Sequence, residues 1–333
     1  MHFIVHGAGA IGCYVGGRLA AGGRQVTLVG RHGVISDVRR LGLQISDLDG
    51  FQAHLVPSAL GLCSSLAQVR VTGDCVVLLC VKGRATESAA LELAACCPPG
   101  TLVVSLQNGV DNAARIAAIA PRMKVIAGMV ACNVVQPTPW HTHRATSGGI
   151  TLARHPVTRE MALLMDACGL PTELADDMRP VQWGKLLLNL NNPVNALSDL
   201  PLRAQLLDRD YRRVLADLQE EALAVMRQAG IRPAQIAAVP PHLLPRLLRL
   251  PTWLFRLVAQ RMLRIDPLAR SSMWDDVQQG RITEINDLCS AVVRLARQQG
   301  MEAPRNAAMC KLIMAHHKGV RISGPALRSA AMQ

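Results

Sequence analysis

The chain has 333 residues, of which 50% are hydrophobic and 18% are charged, and its formal net charge at pH 7 is +12. This length accommodates two domains of ordinary size, and the composition excludes an intrinsically disordered chain. Aromatic residues make up 3% of the chain, which argues against single-stranded nucleic-acid binding because that function needs aromatic stacking platforms. The positive charge therefore favours an anionic small-molecule ligand, and no nucleic-acid partner is expected.

The chain opens with a predicted strand, a glycine turn and a helix. His2–His6 is apolar enough for a buried strand, GAGAIG follows it, residues 13–21 continue as a helix and residues 25–29 form a second strand. Glycines in such a turn let a pyrophosphate approach the backbone, and the helix N-terminus supplies N–H donors. The unit predicts a dinucleotide-binding site, with a glycine turn that binds nothing as the alternative. The predicted cofactor-binding residues of the turn are Gly7, Ala8, Gly9, Ala10, Ile11 and Gly12.

The residue after the second strand predicts the type of cofactor. An acidic residue there would hold the ribose 2′-hydroxyl of NAD, but this sequence has Arg31, whose guanidinium suits the 2′-phosphate of NADP. Lys82, after the apolar residues 75–81, can add a second positive charge. The alternative for both is a solvated basic residue.

Further strands are predicted at residues 43–46, 53–56, 102–106, 125–135 and 149–153, the first two as a hairpin and the last two as the end of the sheet. Asn108 follows the strand at 102–106, and ligands bind beyond the carboxyl ends of strands in open α/β sheets. Asn108 is therefore a predicted ligand contact, with an ordinary turn residue before Gly109 as the alternative.

The cysteines, the histidines and the apolar runs lead to predictions about the cellular compartment of the protein and about metal binding. The ten cysteines include no CxxC pair and are predicted to be free thiols in a reducing cytoplasm. His141 and His143, like the pair His316–His317, are interpreted as surface-loop residues, so no metal is expected. The opening residues predict a strand rather than a signal peptide, and no apolar run is long enough to span a membrane.

An unusual polar pattern occurs at residues 183–197, WGKLLLNLNNPVNAL. Lys185, Asn189 and Asn192 share one face of a predicted helix that is otherwise apolar, and buried polar groups need partners. Pro193 cannot donate to the carbonyl of Asn189, so a kink is expected there. A lysine that reaches solvent from an ordinary core helix is the alternative.

The C-terminal half is predicted to be helical from Pro180, which places an α/β Rossmann-type domain at residues 1–178 and an all-helical domain at residues 179–330. Residues 208–229 form a long amphipathic helix that ends before Gly230. Ser272 with Asp275 resembles a helix start, and Thr283 is expected to cap a helix that has Glu284 in its first turn and runs to Gln299. Residues 239–265 are rich in Pro, Arg and Leu; a helical flap or a subunit contact is favoured over a membrane-surface helix.

Three separated motifs together resemble the ketopantoate reductase (2-dehydropantoate 2-reductase) family: GAGAIG, the helix with Lys185 and Asn189, and the pair SSM and TE at residues 271–273 and 283–284. The resemblance implies an N-terminal Rossmann domain followed by a helical domain. It also implies NADPH-dependent reduction of a 2-oxo acid to a 2-hydroxy acid in pantothenate synthesis. From the residues themselves no membrane partner is expected, and a homodimer is a candidate assembly, although the sequence does not give the oligomeric state.

The resemblance further implies the roles of single residues. Lys185 corresponds to the catalytic lysine, and Arg31 and Lys82 correspond to the contacts of the 2′-phosphate. Asn108 and Glu284 correspond to residues that meet both cofactor and substrate. The implied substrate-binding residues are Asn108, Asn189, Asn192, Ser272 and Glu284.

The sequence departs from the family pattern at two places. Pro193 occupies the position of a second asparagine, so Asn192 takes that role only if one residue is deleted, and Cys289-Ser290 replaces an Asn-Gly pair. Two alternatives therefore stand beside ketopantoate reduction: an NADPH-dependent reductase of another 2-oxo acid, and a non-catalytic NADP-binding regulator. The retained lysine argues against the regulator, which needs no proton donor.

Overall fold

The computed structural model describes residues 1–260, 262–263 and 269–331, and the chain forms two compact units, Met1–Met178 and Arg179–Gln333. The first is mixed α/β and the second is helical, which confirms the fold class expected from the sequence. In the described ranges, no helix is long and apolar enough to cross a membrane.

The first unit contains strands and helices in alternation. Its strands are β1 (His2–His6), β2 (Val26–Val29), β3 (Leu43–Asp47), β4 (Gln52–Leu55), β5 (Gly61–Cys63), β6 (Cys75–Leu79), β7 (Leu102–Ser105), β8 (Lys124–Val130), β9 (Val134–Thr138), β10 (His141–Arg144), β11 (Ile150–Ala153) and β12 (Thr172–Ala175). Its α-helices are α1 (Ala10–Ala21), α2 (His32–Leu41), α3 (Thr86–Cys96), α4 (Asn112–Ile119) and α5 (Pro156–Ala167).

The strands form two sheets. The larger has the order β12-β11-β8-β7-β6-β1-β2-β5, and the pairs from β8 to β5 are all parallel. This is the Rossmann arrangement, in which right-handed helical crossovers cover a parallel sheet. The smaller sheet has the order β4-β3-β10-β9, and β3 and β4 pair antiparallel as the predicted hairpin.

The core lies on both faces of the larger sheet because side chains alternate along each strand. In β1, Phe3 and Val5 join one cluster, with residues of α1, α2 and α5, whereas Ile4 joins a second cluster with residues of α3 and α4. All three side chains are fully buried. The nearly continuous apolar run of β1 is thus the signature of a strand covered on both faces.

Two predictions about the strands are wrong in part. Residues 125–135 do not form one strand, because β8 ends at Val130 in the larger sheet and β9 starts at Val134 in the smaller one. His141 and His143 lie in β10 rather than in a loop, and the Oγ of Ser46 lies 3.1 Å and 2.8 Å from a ring nitrogen of each. Pairing of β10 with β3 and β9 supplies the backbone partners that a surface loop would lack.

The second unit, as far as it is described, consists of helices and the segments that connect them. They are α6 (Met178–Asn189), α7 (Asn191–Ser198), α8 (Leu202–Leu207), α9 (Arg209–Gln228), α10 (Leu244–Arg249), α11 (Thr252–Val258), α12 (Ser272–Gln278), α13 (Cys289–Gln298), α14 (Pro304–Met314) and α15 (Gly324–Ala330). The predicted helix at 208–229 is confirmed as α9, whose N-cap Asp208 accepts a hydrogen bond from the backbone of Asp210.

Helix α9 is the centre of this unit, because its side chains bind the backbone of five other segments. Arg212, fully buried, donates to the carbonyls at the ends of α8 and α10, Leu206, Leu248 and Leu250, at 2.9–3.0 Å. Gln219 donates to the carbonyl of Leu187 in α6. Two further contacts involve the carboxylate of Glu221, which accepts from the first turn of α14, and the hydroxyl of Tyr211, which donates to the carbonyl of Ile322.

The Pro-, Arg- and Leu-rich segment, residues 239–265, forms α10 and α11, and its residues 261, 264 and 265 lie outside the described residues. Leu248 and Phe255 are buried, and Arg249 forms ion pairs at 2.6 Å with Asp217 and Glu220 of α9. The segment is therefore anchored to α9 by both apolar and charged contacts. Helix α11 also carries an exposed apolar face, Trp253, Leu257 and Val258.

Candidate active site

The predicted cofactor residues of the first unit lie at one edge of its sheet. His6 pairs in register with Val29 of β2 and with Leu79 of β6, and Leu79 pairs with Ser105 of β7. The loops that follow these strands therefore emerge side by side. They carry the glycine turn, Arg31, Lys82 and Asn108.

The glycine turn combines close backbone packing at two glycines with an open face at the third, as a dinucleotide-binding turn requires. A Cβ at Gly7, whose φ is +117°, would lie 2.6 Å from the backbone of Cys80, and a Cβ at Gly12 would lie 2.1 Å from the Gly7 carbonyl oxygen. A Cβ at Gly9 meets no atom of the described chain within 4 Å, so this face is open. Gly9 also caps α1 without a side chain, which leaves the first N–H groups of that helix for an anion.

The two basic residues proposed for the 2′-phosphate flank this turn. Arg31 is exposed and forms the N-cap of α2, so its side chain projects from the point where β2 ends. Lys82 is half-buried and directly precedes a 3₁₀ turn, Gly83–Ala85. An acidic side chain is missing from the end of β2 in the sequence, Gly30-Arg31-His32.

Asn108 lies beyond β7 and is held by a chain of buried hydrogen bonds. Its backbone carbonyl accepts from Asn112 Nδ2 at 2.6 Å, and Asn112 Oδ1 accepts from the hydroxyl of Thr86 at 3.0 Å. Thr86 in turn accepts from Gln107 Nε2 at 2.8 Å, and the same nitrogen donates to the carbonyl of Val81 at 3.0 Å. The chain therefore joins the loop of Asn108 to the loop of Lys82.

Thr86 and Asn112 are supporting residues that the sequence prediction missed. Both are buried, with 0% and 3% of their surface exposed, and they begin α3 and α4. The sequence contains one indication of them: three amide side chains, Gln107, Asn108 and Asn112, follow one predicted strand closely enough to form hydrogen bonds with each other. Their partners, however, lie 21 and 26 residues apart in sequence, beyond the reach of any local pattern.

In the second unit, the predicted helix at residues 183–197 is two helices. Helix α6 ends at Asn189 and α7 begins at Asn191, so the helix is interrupted next to the position where the kink is expected. The interruption is one residue long, since Leu190 keeps helical angles (φ −59°, ψ −13°) and its N–H still donates to the Leu186 carbonyl. Pro193 is the third residue of α7, where a missing N–H costs nothing because the first turn has no intrahelical acceptor. Lys185 and Asn189 remain one turn apart on α6, and both are half-buried.

The start of α12, which carries Ser272, is hydrogen-bonded to α7. The hydroxyl of Ser271 donates to the carbonyl of Asn192 at 3.2 Å, and the backbone N–H of Ser271 donates to Asn195 Oδ1 at 2.8 Å. The prediction of a helix start here is correct to within one residue, since Ser271, not Ser272, is the N-cap of α12. Two of the predicted substrate residues, Asn192 and Ser272, are thus held in neighbouring segments.

Glu284 has a different local structure from the one predicted. Thr283 does not cap a helix, because Glu284 directly precedes a 3₁₀ turn, Ile285–Asp287, and α13 begins only at Cys289. Stabilisation by the dipole of a long helix therefore does not explain this carboxylate. Glu284 is half-buried and lies in a bend of the chain just before this turn.

No metal centre occurs in the part of the chain that the structure describes, where His, Cys, Asp and Glu nowhere gather in a group of three that could hold an ion. All ten cysteines are free thiols.

Comparison with known proteins decides the family. The model "Ketopantoate reductase PanE/ApbA" matches residues 3–156, and the model of the C-terminal domain of the same family matches residues 177–317. The chain belongs to the ketopantoate reductase family. This family consists of nicotinamide-dependent oxidoreductases that act on small molecules, so the chain is an enzyme of that class.

Relatives of this ketopantoate reductase family member match along nearly their whole length. The 2-dehydropantoate 2-reductase of Halobacterium salinarum is 29% identical over 320 residues, which cover 94% of this chain and 98% of that protein. A crystal structure of a PanE/ApbA family ketopantoate reductase from Ralstonia eutropha has a TM-score of 0.79 at 28% identity, covering 94% and 97% of the two chains. D-mandelate dehydrogenase, solved with NADH and anilino(oxo)acetate, shares the fold with a TM-score of 0.77 at 19% identity, covering 95% and 98%.

One departure from the family pattern creates a local thiol cluster. Cys289, the first residue of α13, is fully buried and hydrogen-bonds with Cys310 of α14, and the Ser290 hydroxyl lies 3.2 Å from the Cys310 sulfur. The contact with Cys289 lowers the pKa of the Cys310 thiol to about 7, with Ser290 adding to the effect. The same contact, together with burial, raises the pKa of Cys289.

Proposed function

We propose that this enzyme reduces 2-dehydropantoate to pantoate with NADPH, in pantothenate biosynthesis. The observation that carries the proposal is the pair Lys185 and Asn189, one turn apart at the end of α6, where the following helix α7 is hydrogen-bonded to the N-cap residue that precedes Ser272. Membership of the ketopantoate reductase family supports the choice of substrate.

NADP rather than NAD is proposed as the cofactor. The open glycine turn suits the pyrophosphate, and Arg31 with Lys82 suits a 2′-phosphate, since a guanidinium can bind a phosphate through two charge-assisted hydrogen bonds. Bound there, NADPH supplies the hydride that reduces the carbonyl carbon.

The proposed roles of the protein residues follow from the charge that develops on the substrate. Negative charge builds on the carbonyl oxygen during reduction, and the Lys185 ammonium donates a proton to that oxygen and stabilises the charge. Asn189, Asn192 and Ser272 orient the substrate through hydrogen bonds. Asn108 and Glu284 are proposed to contact both substrate and cofactor, with Glu284 also serving as a counter-charge for the lysine.

A second candidate, reduction of a different 2-oxo acid, is supported by one feature of the chain. Pro193 stands where the family has an asparagine, and it is buried in the first turn of α7, so it offers no hydrogen bond to a substrate hydroxyl. A binding site with one polar contact fewer favours a substrate with an apolar substituent. A non-catalytic regulator is less well supported, because it has no use for the lysine and its polar neighbours.

Steady-state NADPH oxidation with a panel of 2-oxo acids tests the proposal. The panel contains ketopantoate, 2-oxoisovalerate and phenylglyoxylate, and ketopantoate is expected to have the highest kcat/KM. Lys185→Ala is expected to lower kcat by roughly 10²–10⁴, the range for a lost general acid. Lys311→Ala, which removes an exposed lysine from α14, is the matched control and should leave kcat unchanged. Full turnover in Lys185→Ala would overturn the assignment of the proton donor.

We also propose a cytoplasmic homodimer. Ten free thiols suit a reducing compartment, and the exposed face of Trp253, Leu257 and Val258 is an apolar surface of the kind buried in subunit contacts. Light scattering after size-exclusion chromatography should give twice the chain mass of 35.9 kDa. The single-chain mass would contradict the dimer.

A further inference from the structure

Ser271 makes three hydrogen bonds at the start of α12. Its hydroxyl accepts from the backbone N–H of Trp274 at 3.2 Å and donates to the carbonyl of Asn192 at 3.2 Å. Its own backbone N–H donates to Asn195 Oδ1 at 2.8 Å. An ordinary N-cap residue makes only the bond to the N–H of the residue three positions later. The other two bonds join the start of α12 to α7.

Asn195 is the matching residue on α7. It is fully buried, and while its side-chain oxygen accepts from Ser271, its Nδ2 donates to the carbonyl of Leu200 at 2.9 Å. Both ends of the amide are therefore used, so the side chain cannot rotate without leaving a buried polar group unpaired. The contact spans 76 residues of sequence.

A second set of hydrogen bonds joins the end of α7 to the residues around the start of α12. Asp199, which follows α7 with a φ of 47°, accepts from Trp274 Nε1 at 2.6 Å and from Arg270 at 3.3 Å. The Arg270 guanidinium also lies over the Trp274 ring, 4.1 Å from its centre. The residues on both sides of Ser271-Ser272 are thus fixed to the end of α7.

We infer that Asn195 and Ser271 are positioning residues that fix Ser272 beside the helix break after Asn189, and that they set the affinity for the 2-oxo acid. This inference rests on the proposed function, in which Ser272 and the residues at the break bind the substrate. The two residues act through Ser272 and Asn192 and do not touch the substrate themselves. Their loss should therefore change KM for the 2-oxo acid more than kcat.

Ser271→Ala and Ser271→Gly test the inference. Glycine is tolerated at N-caps, so the second variant keeps the helix start and the N–H to Asn195 while it removes the hydroxyl bond to Asn192. Both should raise KM for the best 2-oxo acid about tenfold, the effect of one lost hydrogen bond, with kcat and KM for NADPH changed less than about threefold. Ser271→Thr, which keeps the hydroxyl, should restore the original KM.

Ser323→Ala is the matched control. Ser323 is also a serine N-cap, with its hydroxyl accepting from Ala326, and it begins α15. The N–H of the neighbouring Ile322 donates to the Leu197 carbonyl of α7, but Ser323→Ala leaves that backbone bond in place and removes only the cap bond. This variant should leave both KM values unchanged. An unchanged KM in Ser271→Gly, or an equal rise in Ser323→Ala, would overturn the inference.

Failure of the inference and failure of the proposed function give different results. If the unchanged enzyme reduces a 2-oxo acid and Ser272→Ala raises KM while Ser271→Gly does not, the inference alone is wrong. If the unchanged enzyme reduces none of the acids, the proposed function is wrong. Hydrogen exchange then tests the link to α7 itself through the amide of residue 271, whose N–H donates to Asn195 Oδ1. A lower protection factor of that amide in Ser271→Gly supports the link, and an unchanged protection factor refutes it.

Discussion

Replacing Thr86 by valine removes one hydroxyl from the buried hydrogen-bond chain of the first unit without changing the shape of the side chain. The hydroxyl donates to Asn112 Oδ1 and accepts from Gln107 Nε2, and its residue is 0% exposed. Valine fills the same space but makes neither bond. The substitution therefore isolates the contribution of the chain from the contribution of packing.

The cost can be worked out from the partners that remain. Gln107 Nε2 keeps the carbonyl of Val81 at 3.0 Å, and Asn112 Oδ1 keeps Arg115 at 3.3 Å, so neither atom is wholly unpaired. Each lost bond then costs about 1 kcal/mol rather than the full penalty of an unsatisfied buried group. Thr86→Val should lower the free energy of unfolding by about 2 kcal/mol, and it should raise KM for NADPH because the loop of Lys82 is less well held.

Thr142→Val is a matched control from the same unit. Thr142 is also fully buried, in β10, but its hydroxyl has no hydrogen-bond partner among the described residues. Valine there removes an unsatisfied polar group, so the free energy of unfolding should stay the same or rise by up to about 1 kcal/mol.

Urea unfolding followed by circular dichroism measures both variants, with an unchanged m-value as the check that only stability has changed. If Thr142→Val is destabilised as much as Thr86→Val, or if Thr86→Val is as stable as the original protein, the count of hydrogen-bond partners does not predict stability here.

Three further predictions concern the cofactor, the helical unit and pH. Arg31→Ala should lose a preference for NADPH over NADH of about tenfold or more, measured from the two kcat/KM values; equal use of both by the unmutated enzyme would contradict the role of Arg31. Arg212→Met should lower stability by about 3 kcal/mol because three buried carbonyls lose their donor, whereas Arg213→Met, on the half-buried neighbour, should cost under about 1 kcal/mol in the same urea titration. Burial lowers the pKa of His6 below its ordinary value, so the unfolded chain binds the proton first as pH falls, and stability should drop below about pH 6.5. His6→Gln should show a smaller drop between about pH 7.5 and about pH 5.5, and an identical drop would refute the assignment to His6.

The parts of the fold that the sequence predicts well are those fixed by local pattern. The run His2–His6 and the glycine turn after it match β1 and the start of α1 because a buried strand and a tight turn each need a distinctive composition. The helix at 208–229 matches α9 to within a residue, since an aspartate cap and a terminal glycine mark both ends. Pro193 marks the helix break for the same reason.

The errors occur where distant partners decide the structure. Residues 141–144 form a strand because β3 and β9 lie on either side, and no feature of HTHR itself indicates this. Thr283 and Glu284 have the composition of a helix start, yet Leu288 has φ −112° and ψ −98°, which ends the 3₁₀ turn and delays α13. Local preference for a cap is weak beside such tertiary packing.

The residues of the candidate site also fall into those that the sequence indicates and those that it does not. Gly7, Arg31 and Lys185 are candidates from the sequence alone because their type is unusual for their position, and their roles stay predictions. Thr86, which supports the loop of Asn108, and Asn195, which supports the start of α12, could not be predicted, because they are ordinary polar residues whose partners are far away in sequence. A buried threonine or asparagine has meaning only once its neighbours are known.

The contacts of helix α9 determine how the second unit unfolds and which of its amides exchange last. Its amides can exchange with solvent only when the helix separates from the segments that its side chains hold, from α6 and α10 to the start of α14. Opening any one of those segments alone leaves α9 covered by the others. In native-state hydrogen exchange, the amides of α9 should therefore be the slowest of the unit and should report its complete unfolding, while the exposed turns of α11 exchange through small local openings.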